Sequence, residues 1–270
     1  MNKISKIIIF LCLLFSPFEA FTQIEEQPSP LGPGRGRKQS EVGFFVGIGP
    51  NWQSGEFFAS CNCPNFKDGN GLVLSTGIIY QRDFSSLLQW GVASGLSFQN
   101  ATSSYKEREL LTFESQSGDI FTNIPVLFRQ KSIFDFSFIE LMPYLVFSPF
   151  EFINFGLGLK GGIPFHTHIK HTKELLDNRI RLDNGETIEL SISNPNIEEG
   201  KIERVNSIIF YLVPSIRVYF RLTGNIFTGL SFSYHLPLNN FSERGRNFRL
   251  NHWLVSLDIR YALQLRKWLN

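Results

Sequence analysis

Three places in the chain gather side chains with the potential for chemistry. Cys61-Asn-Cys63 stands before Pro64 in a polar stretch. A Cys pair in an exported protein can oxidise, but a ring with one intervening residue is tight and strained. Two thiolates alone are too few for a zinc site. The expectation is a loop-local disulfide or two thiols without function. His166-Thr-His168-Ile-Lys-His171 is the histidine cluster. On an extended strand His166 and His168 share a face, and His171 needs a bend to join them. Zinc normally takes four ligands, so a polar strand continuation is the expectation. Ser231, Ser233 and His235 alternate along one face, with His252 near the mouth of the adjacent strand. A Ser–His pair acting on lipid must stand on a lipid-facing rim, whereas this face carries the small, polar residues. No Gly-rich phosphate loop, paired-carboxylate spacing or metalloprotease motif appears. The expectation is a non-enzymatic protein with no cofactor and no metal.

The elements that position these residues alternate strongly. In Trp90–Gln99, Trp90, Val92, Leu96 and Phe98 share one face, with Ser94 the exception, and Gly91, Ala93, Gly95, Ser97 and Gln99 share the other. In Phe210–Arg221, Phe210, Leu212, Ile216, Val218 and Phe220 oppose Tyr211, Ser215, Arg217, Tyr219 and Arg221. In the last strand Trp253, Val255, Leu257, Ile259, Tyr261 and Leu263 oppose Ser256, Asp258, Arg260 and Gln264. Phe155, Leu157 and Leu159 oppose Gly156, Gly158 and Lys160. A strand sends successive side chains to opposite faces, so one side is bulky and apolar and the other small or charged. A narrow, wet lumen suits the second face and lipid suits the first. A lipid-facing Arg or Lys at the midplane costs about 2–4 kcal/mol. Lys160, Arg217, Asp258 and Arg260 therefore point inward as a structural polar network, with Asp258 accepting hydrogen bonds from at least one of the three cations.

The N-terminus has Lys3 and Lys6, an apolar run from Ile7 to Phe15, and a small-residue exit at Ala20 and Thr22. That is the pattern of a secretory signal peptide over 1–22, and the run is too short for a spanning helix of about 20 residues. Residues 23–41 carry Pro, Gly and charge without period and read as a flexible periplasmic linker. Phe accounts for 28 of 270 residues and the formal net charge is +2, which offers no field for nucleic acid. A membrane protein without a spanning helix must be a closed barrel.

Strand candidates are Val42–Trp52, Leu72–Arg82, Leu87–Gln99, Asp119–Arg129, Ile153–Phe165, Val205–Arg221, Asn225–Leu236 and His252–Leu265. Tight turns alternate with long polar connections at 53–70, 100–118, 166–204 and 238–251, as in barrels with short periplasmic turns and long extracellular loops. Ile133–Phe147 is the hardest stretch to place. Eight strands leave it as an apolar periplasmic connection, and ten split it near Met142-Pro143. Eight is preferred.

The opening Val42–Gly49, the strand Asn123-Ile-Pro-Val-Leu-Phe-Arg129 and the closing pair around Leu230–Leu238 resemble the PorT-like outer-membrane β-barrel domain family over about residues 42–265. The signal ending at Ala20–Gln23 matches as well. The resemblance implies a transmembrane barrel of about eight strands and no common activity. Such barrels often end on an aromatic residue read by the assembly machinery, whereas here Trp268 stands two residues short of the end.

The reading is an all-β, closed antiparallel transmembrane barrel over 42–270 in the outer membrane of a Gram-negative cell. Its role is structural or one of surface interaction. Its partners are outer-membrane lipid, the barrel-assembly machinery and an extracellular or envelope partner at loop 166–204. A passive channel for small solutes and a secreted soluble barrel binding a small apolar ligand are the alternatives.

Overall fold

The computed structural model describes residues 40–59, 64–114, 118, 120–150, 152–177, 179–181, 187–190, 195–223 and 225–263. The expected signal peptide, nearly all of the linker, Cys61, Cys63 and the C-terminal Trp268 lie outside them. The strands are β1 (Ser40–Phe57), β2 (Asn70–Asp83), β3 (Leu88–Glu114), β4 (Ile120–Phe147), β5 (Ile153–Leu175), β6 (Arg179–Arg181), β7 (Thr187–Glu189), β8 (Asn196–Lys201), β9 (Ile209–Thr223), β10 (Ile226–Pro237) and β11 (Gly245–Leu263).

Eight of these close a ring in the order β1-β2-β3-β4-β5-β9-β10-β11 and back to β1, with every neighbouring pair antiparallel. The closing seam runs from Ser40 opposite Leu263 to Phe57 opposite Gly245. Closure leaves no strand edge within the ring, which is what a sheet in lipid requires. Ser40 and Glu41, read as the end of the linker, already pair in this seam and belong to β1.

The expected strand count stands, but its composition changes. Asp119–Arg129 and Ile133–Phe147 are one strand, β4, of 28 residues. Ile133–Phe147 is therefore not a periplasmic connection: its second part, from Ile139, spans the membrane and its first part rises above it. Ten strands are excluded because β4 runs unbroken through Met142 and Pro143. Pro143 is tolerated since the ladder to β5 skips from Leu141 to Tyr144 there, where a missing N–H costs nothing. The expected loop at 100–118 is mostly strand, since β3 pairs with β4 as far as Glu114 opposite Ile120. The expected loop at 166–204 continues β5 to Leu175 and returns as β8, paired on His168–Thr172.

The outer face is apolar all round. Leu96, Phe155, Leu157, Ile216 and Val255 are exposed to the surroundings, and Val218 is half-buried by its neighbours. On β11 the outward residues from Trp253 to Leu263 form an unbroken apolar column. Eleven residues at about 3.3 Å each, tilted by about 40°, give roughly 28 Å, close to the apolar band of an outer-membrane barrel. Aromatic rings mark both rims. On the side of the long connections Tyr234 stacks on Trp52 and meets Trp253 at a tilt, and Tyr80 and Trp90 meet edge-on on the side of the termini. The soluble-barrel alternative fails here, because it needs these faces packed inside. A closed ring with an apolar girdle and a polar interior places the protein in the outer membrane, with both described strand ends on the periplasmic side.

Above the band the pattern inverts. Phe134, Phe136 and Phe138 of β4 point inward and are buried. They pack with Phe57, Phe66, Phe241, Phe248, Ile169, Ile202 and Ile209 into an apolar core at the extracellular mouth. With water outside instead of lipid, apolar side chains gain by turning in, by about 1.5–3 kcal/mol for each fully buried one.

Leu257, at mid-height on the outer face, tests the placement. Leu257→Arg is expected to lower the stability of the vesicle-inserted protein by about 2–4 kcal/mol in reversible urea unfolding. No measurable change would mean that this face meets water.

Candidate functional site

The lumen is built from the small faces that the alternation predicts. Its periplasmic layer centres on Asp258 and Arg260 of β11. Arg260 donates from Nε to Asp258 Oδ1 at 2.7 Å and from Nη1 to Gln81 Oε1 at 2.6 Å. Arg217 of β9 sets its Nε 3.2 Å from Asp258 Oδ2 and donates from Nη1 to Gln81 at 3.3 Å. Tyr144 of β4 donates to the same Gln81 oxygen at 3.2 Å. Glu41 lies 3.6 Å from Arg260 and accepts the Tyr219 hydroxyl at 2.6 Å. Two guanidinium groups thus face two carboxylates, so the layer is neutral. Glycines make the room: a Cβ on Gly229 would sit 3.0 Å from both Arg217 and Asp258, and one on Gly91 would sit 2.4 Å from the Tyr144 ring.

Lys160 stands apart from the other three predicted residues. It donates to Glu140 of β4 at 2.9 Å, where Ser97 of β3 also donates at 2.6 Å, and its Nζ lies 4.5 Å over the Tyr211 ring. The structure therefore brings together Arg217, Asp258 and Arg260 and gives Lys160 a partner of its own. Glu41, Gln81, Glu140 and Tyr144 were not read from the sequence, and Tyr219 was placed on the inward face without a role. Glu140 had a signal: with Asp135 it is one of two carboxylates inside the apolar stretch Ile133–Phe147.

Between the two ion-paired layers is a cavity of about 80 Å³ lined in part by Ser75, Asn154, Ser215 and Ser256. That lies well below the roughly 300–1,000 Å³ of small-molecule sites. Above it His235 and His252 stack at 4.2 Å between ring centres. Ser233 Oγ is 3.1 Å from His235 Nε2, so the suspected Ser–His pair exists, inside the lumen and on one strand. The phenylalanine core then caps the mouth. Phe136 meets Phe241 at 4.3 Å and Phe57 meets Phe134 at 4.8 Å. Hydrogen bonds from Asn206 N to Phe241 O and from Phe241 N to Phe248 O fix the β10–β11 connection over it, and Arg244 ties that connection to Glu198 of β8 at 2.6 Å.

The histidine cluster does not converge. His166 and His168 stack on the outer wall at 6.4 Å, whereas His171 turns inward, 2.9 Å from Gln130 and edge-on to Phe66. Burial pushes the His171 imidazole below its ordinary value, and the Glu198 carboxylate acts weakly the other way.

No protein-family model and no curated protein matches the chain. Solved structures do. Ail, the attachment invasion locus protein of Yersinia pestis, is 14% identical with a TM-score of 0.34, over 83% of this chain and 99% of that one. The outer membrane protease OmpT of Escherichia coli is 10% identical with a TM-score of 0.33, over 83% and 97%. Neisserial surface protein A is 10% identical with a TM-score of 0.29, over 81% and 96%.

Two predictions follow from the lumen and its cap. Asp258→Ala removes the anion between Arg217 and Arg260, and loss of one partner from a buried pair costs about 3–5 kcal/mol. Its thermal unfolding midpoint in detergent is expected to fall, and an unchanged midpoint would mean the layer is solvated. For His171, the unfolded imidazole titrates near 6.5 and the folded one below it. Protonation then favours opening, so this contribution is present above about pH 6.5 and is lost as pH falls below that. The drop in midpoint between about pH 7 and about pH 5 should be smaller in His171→Gln than in the native protein.

Proposed function

We propose that this protein is a closed, non-enzymatic outer-membrane barrel that acts at the cell surface through its extracellular extension. The observation that carries this reading is the filled lumen. Two ion-paired layers and an aromatic cap succeed one another along the axis and set side chains across the bore at three heights, which opposes the passage of a solute. An eight-stranded ring is just wide enough for its side chains to fill it, which agrees. The passive-channel alternative needs that passage. The Ser233–His235 pair supports no catalysis on lipid or protein, because it is buried inside the lumen beneath the cap. The PorT-like resemblance is consistent with this role and stands as part of the proposal.

What the barrel offers outside is substantial. β3 and β4 continue as a two-stranded ribbon after β2 has stopped pairing at Thr102 and β5 at Phe128. Its tip exposes Leu110 and Ile120. Beside it the segment 166–204 supplies β8 and the small β6–β7 hairpin. These elements form the contact surface for an extracellular or envelope partner.

Planar-bilayer recording tests the closed lumen, and no conductance steps are expected from the native protein. Steady ion conductance would overturn the reading in favour of the channel. Surface labelling tests the orientation. Leu110→Cys should react with a membrane-impermeant maleimide on intact cells, and reaction only after permeabilisation would put the ribbon on the wrong side.

A further inference from the structure

Above the apolar band the outer wall of β3, β4, β5 and β8 becomes basic. The ladder fixes which residues share each level. Lys201 stands opposite His168, next to Asp135. One level higher Lys170 stands opposite Ile133, and the next is Lys131 between Ser104 and Thr172. Lys106, Arg129 and Glu174 form the level above. Lys170 pairs with Glu199 at 3.5 Å and Arg129 with Glu174 at 3.6 Å, all four about half exposed, so solvent screens these contacts. Lys106 and Lys131 have no ion-pair partner among the described residues. With Ser104, Tyr105, Arg129 and Glu174 they line an open cleft on the wall, three cations to one carboxylate.

The heights say what fits. Phe165, exposed on β5, is the last apolar residue of the band on that strand. Each level adds two residues, about 6.6 Å along a strand tilted by about 40°, hence roughly 5 Å of height. Cations therefore recur from about 5 Å to about 20 Å above the band. A phospholipid headgroup layer is only about 5–8 Å deep. Lys201 lies at that depth, whereas Lys170, Lys131, Lys106 and Arg129 lie beyond it. An anionic ligand that touches them all is anchored in the outer leaflet and carries negative groups at more than one level. On the opposite wall β2 begins at Asn70 and β10 ends at Pro237, and above the rim of Trp52, Tyr234 and Trp253 only β1 and β11 continue, with Arg249 opposite Ser54 and Arg246 opposite Glu56.

We infer that the outer wall of β3–β5 binds a phosphorylated glycolipid of the outer leaflet, its acyl chains on the apolar band and its phosphates on the Lys170–Lys131–Lys106 ladder. The charge of the wall matches such a ligand, and the site continues the lipid-facing surface without a break. It rests on the membrane placement of the barrel and not on the surface-recognition role.

The probe is lipopolysaccharide, native or enzymatically dephosphorylated, mixed into phosphatidylcholine nanodiscs with the full chain. Binding is read as fluorescence transfer from the barrel tryptophans to labelled lipid. The native protein should enrich native lipopolysaccharide around it. K106Q/K131Q/K170Q should lose that enrichment by about tenfold or more while keeping the heat-dependent gel migration of a folded barrel. Dephosphorylated lipopolysaccharide should bind the native protein as weakly as the variant binds the native lipid. Equal enrichment of both lipids, or an unchanged variant, would overturn the inference. Equal enrichment of phosphatidylglycerol would reduce the ladder to a general anionic surface and overturn the glycolipid assignment. Failure of the protein to insert into the nanodiscs would appear as absence from the disc fraction and would fault the membrane placement instead.

Discussion

Everything in this molecule depends on the pairing of β1 with β11. Hydrocarbon supplies no partner for a backbone N–H or C=O, so a sheet crosses a membrane only when its first and last strands meet. The seam from Ser40–Leu263 to Phe57–Gly245 does this over the whole height of β1. Once the ring is closed, the side chains have two destinations, lipid and lumen, and the alternation of each strand assigns them. The narrow bore follows from eight strands, and the bore dictates the rest of the interior. Charged side chains facing inward are too crowded to be hydrated separately, so they neutralise one another in layers.

The charges balance layer by layer. Arg217 and Arg260 answer Asp258 and Glu41, and Lys160 answers Glu140. The periplasmic layer draws side chains from five strands, β1, β2, β4, β9 and β11, so it braces the ring across its diameter where the backbone ladder braces it along its circumference. Removing an unpaired charge from such a layer would cost little, but removing one half of a pair leaves the other in a confined, poorly hydrated space. The small residues opposite are part of the same arrangement, since Gly91 and Gly229 stand where any larger side chain would displace Tyr144 or the Arg217–Asp258 pair.

Much of this was legible in the sequence. The alternation in Trp90–Gln99, Phe210–Arg221 and Trp253–Leu263 fixed fold, faces and environment, because a period of two is a direct record of a two-sided surroundings. It also identified Arg217, Asp258 and Arg260 as inward. What was not legible lay where the surroundings change along one strand. In β4 the outward residues Ile139, Leu141 and Leu145 are apolar because lipid is outside, and the inward residues Phe134, Phe136 and Phe138 are apolar because water is outside. Read as one segment, Ile133–Phe147 is greasy on both faces and shows no period. The same change disguised the outer halves of β3 and β5 as loops, since strands standing in water carry charge on their outer face. Lys160 was placed on the correct face, but its partner was hidden in the unread segment.

The aromatic cap has a consequence for how the protein is made. Phe57 comes from the first strand, Phe134, Phe136 and Phe138 from the fourth, and Phe248 from the last, with Phe241 on the connection just before it. No subset of neighbouring strands contains the whole cap. A nascent barrel with its seam still open therefore has an open mouth, and the interior becomes isolated from the exterior only when the final strand arrives. A sealed mouth is thus a property of the closed ring alone, and of no part of it.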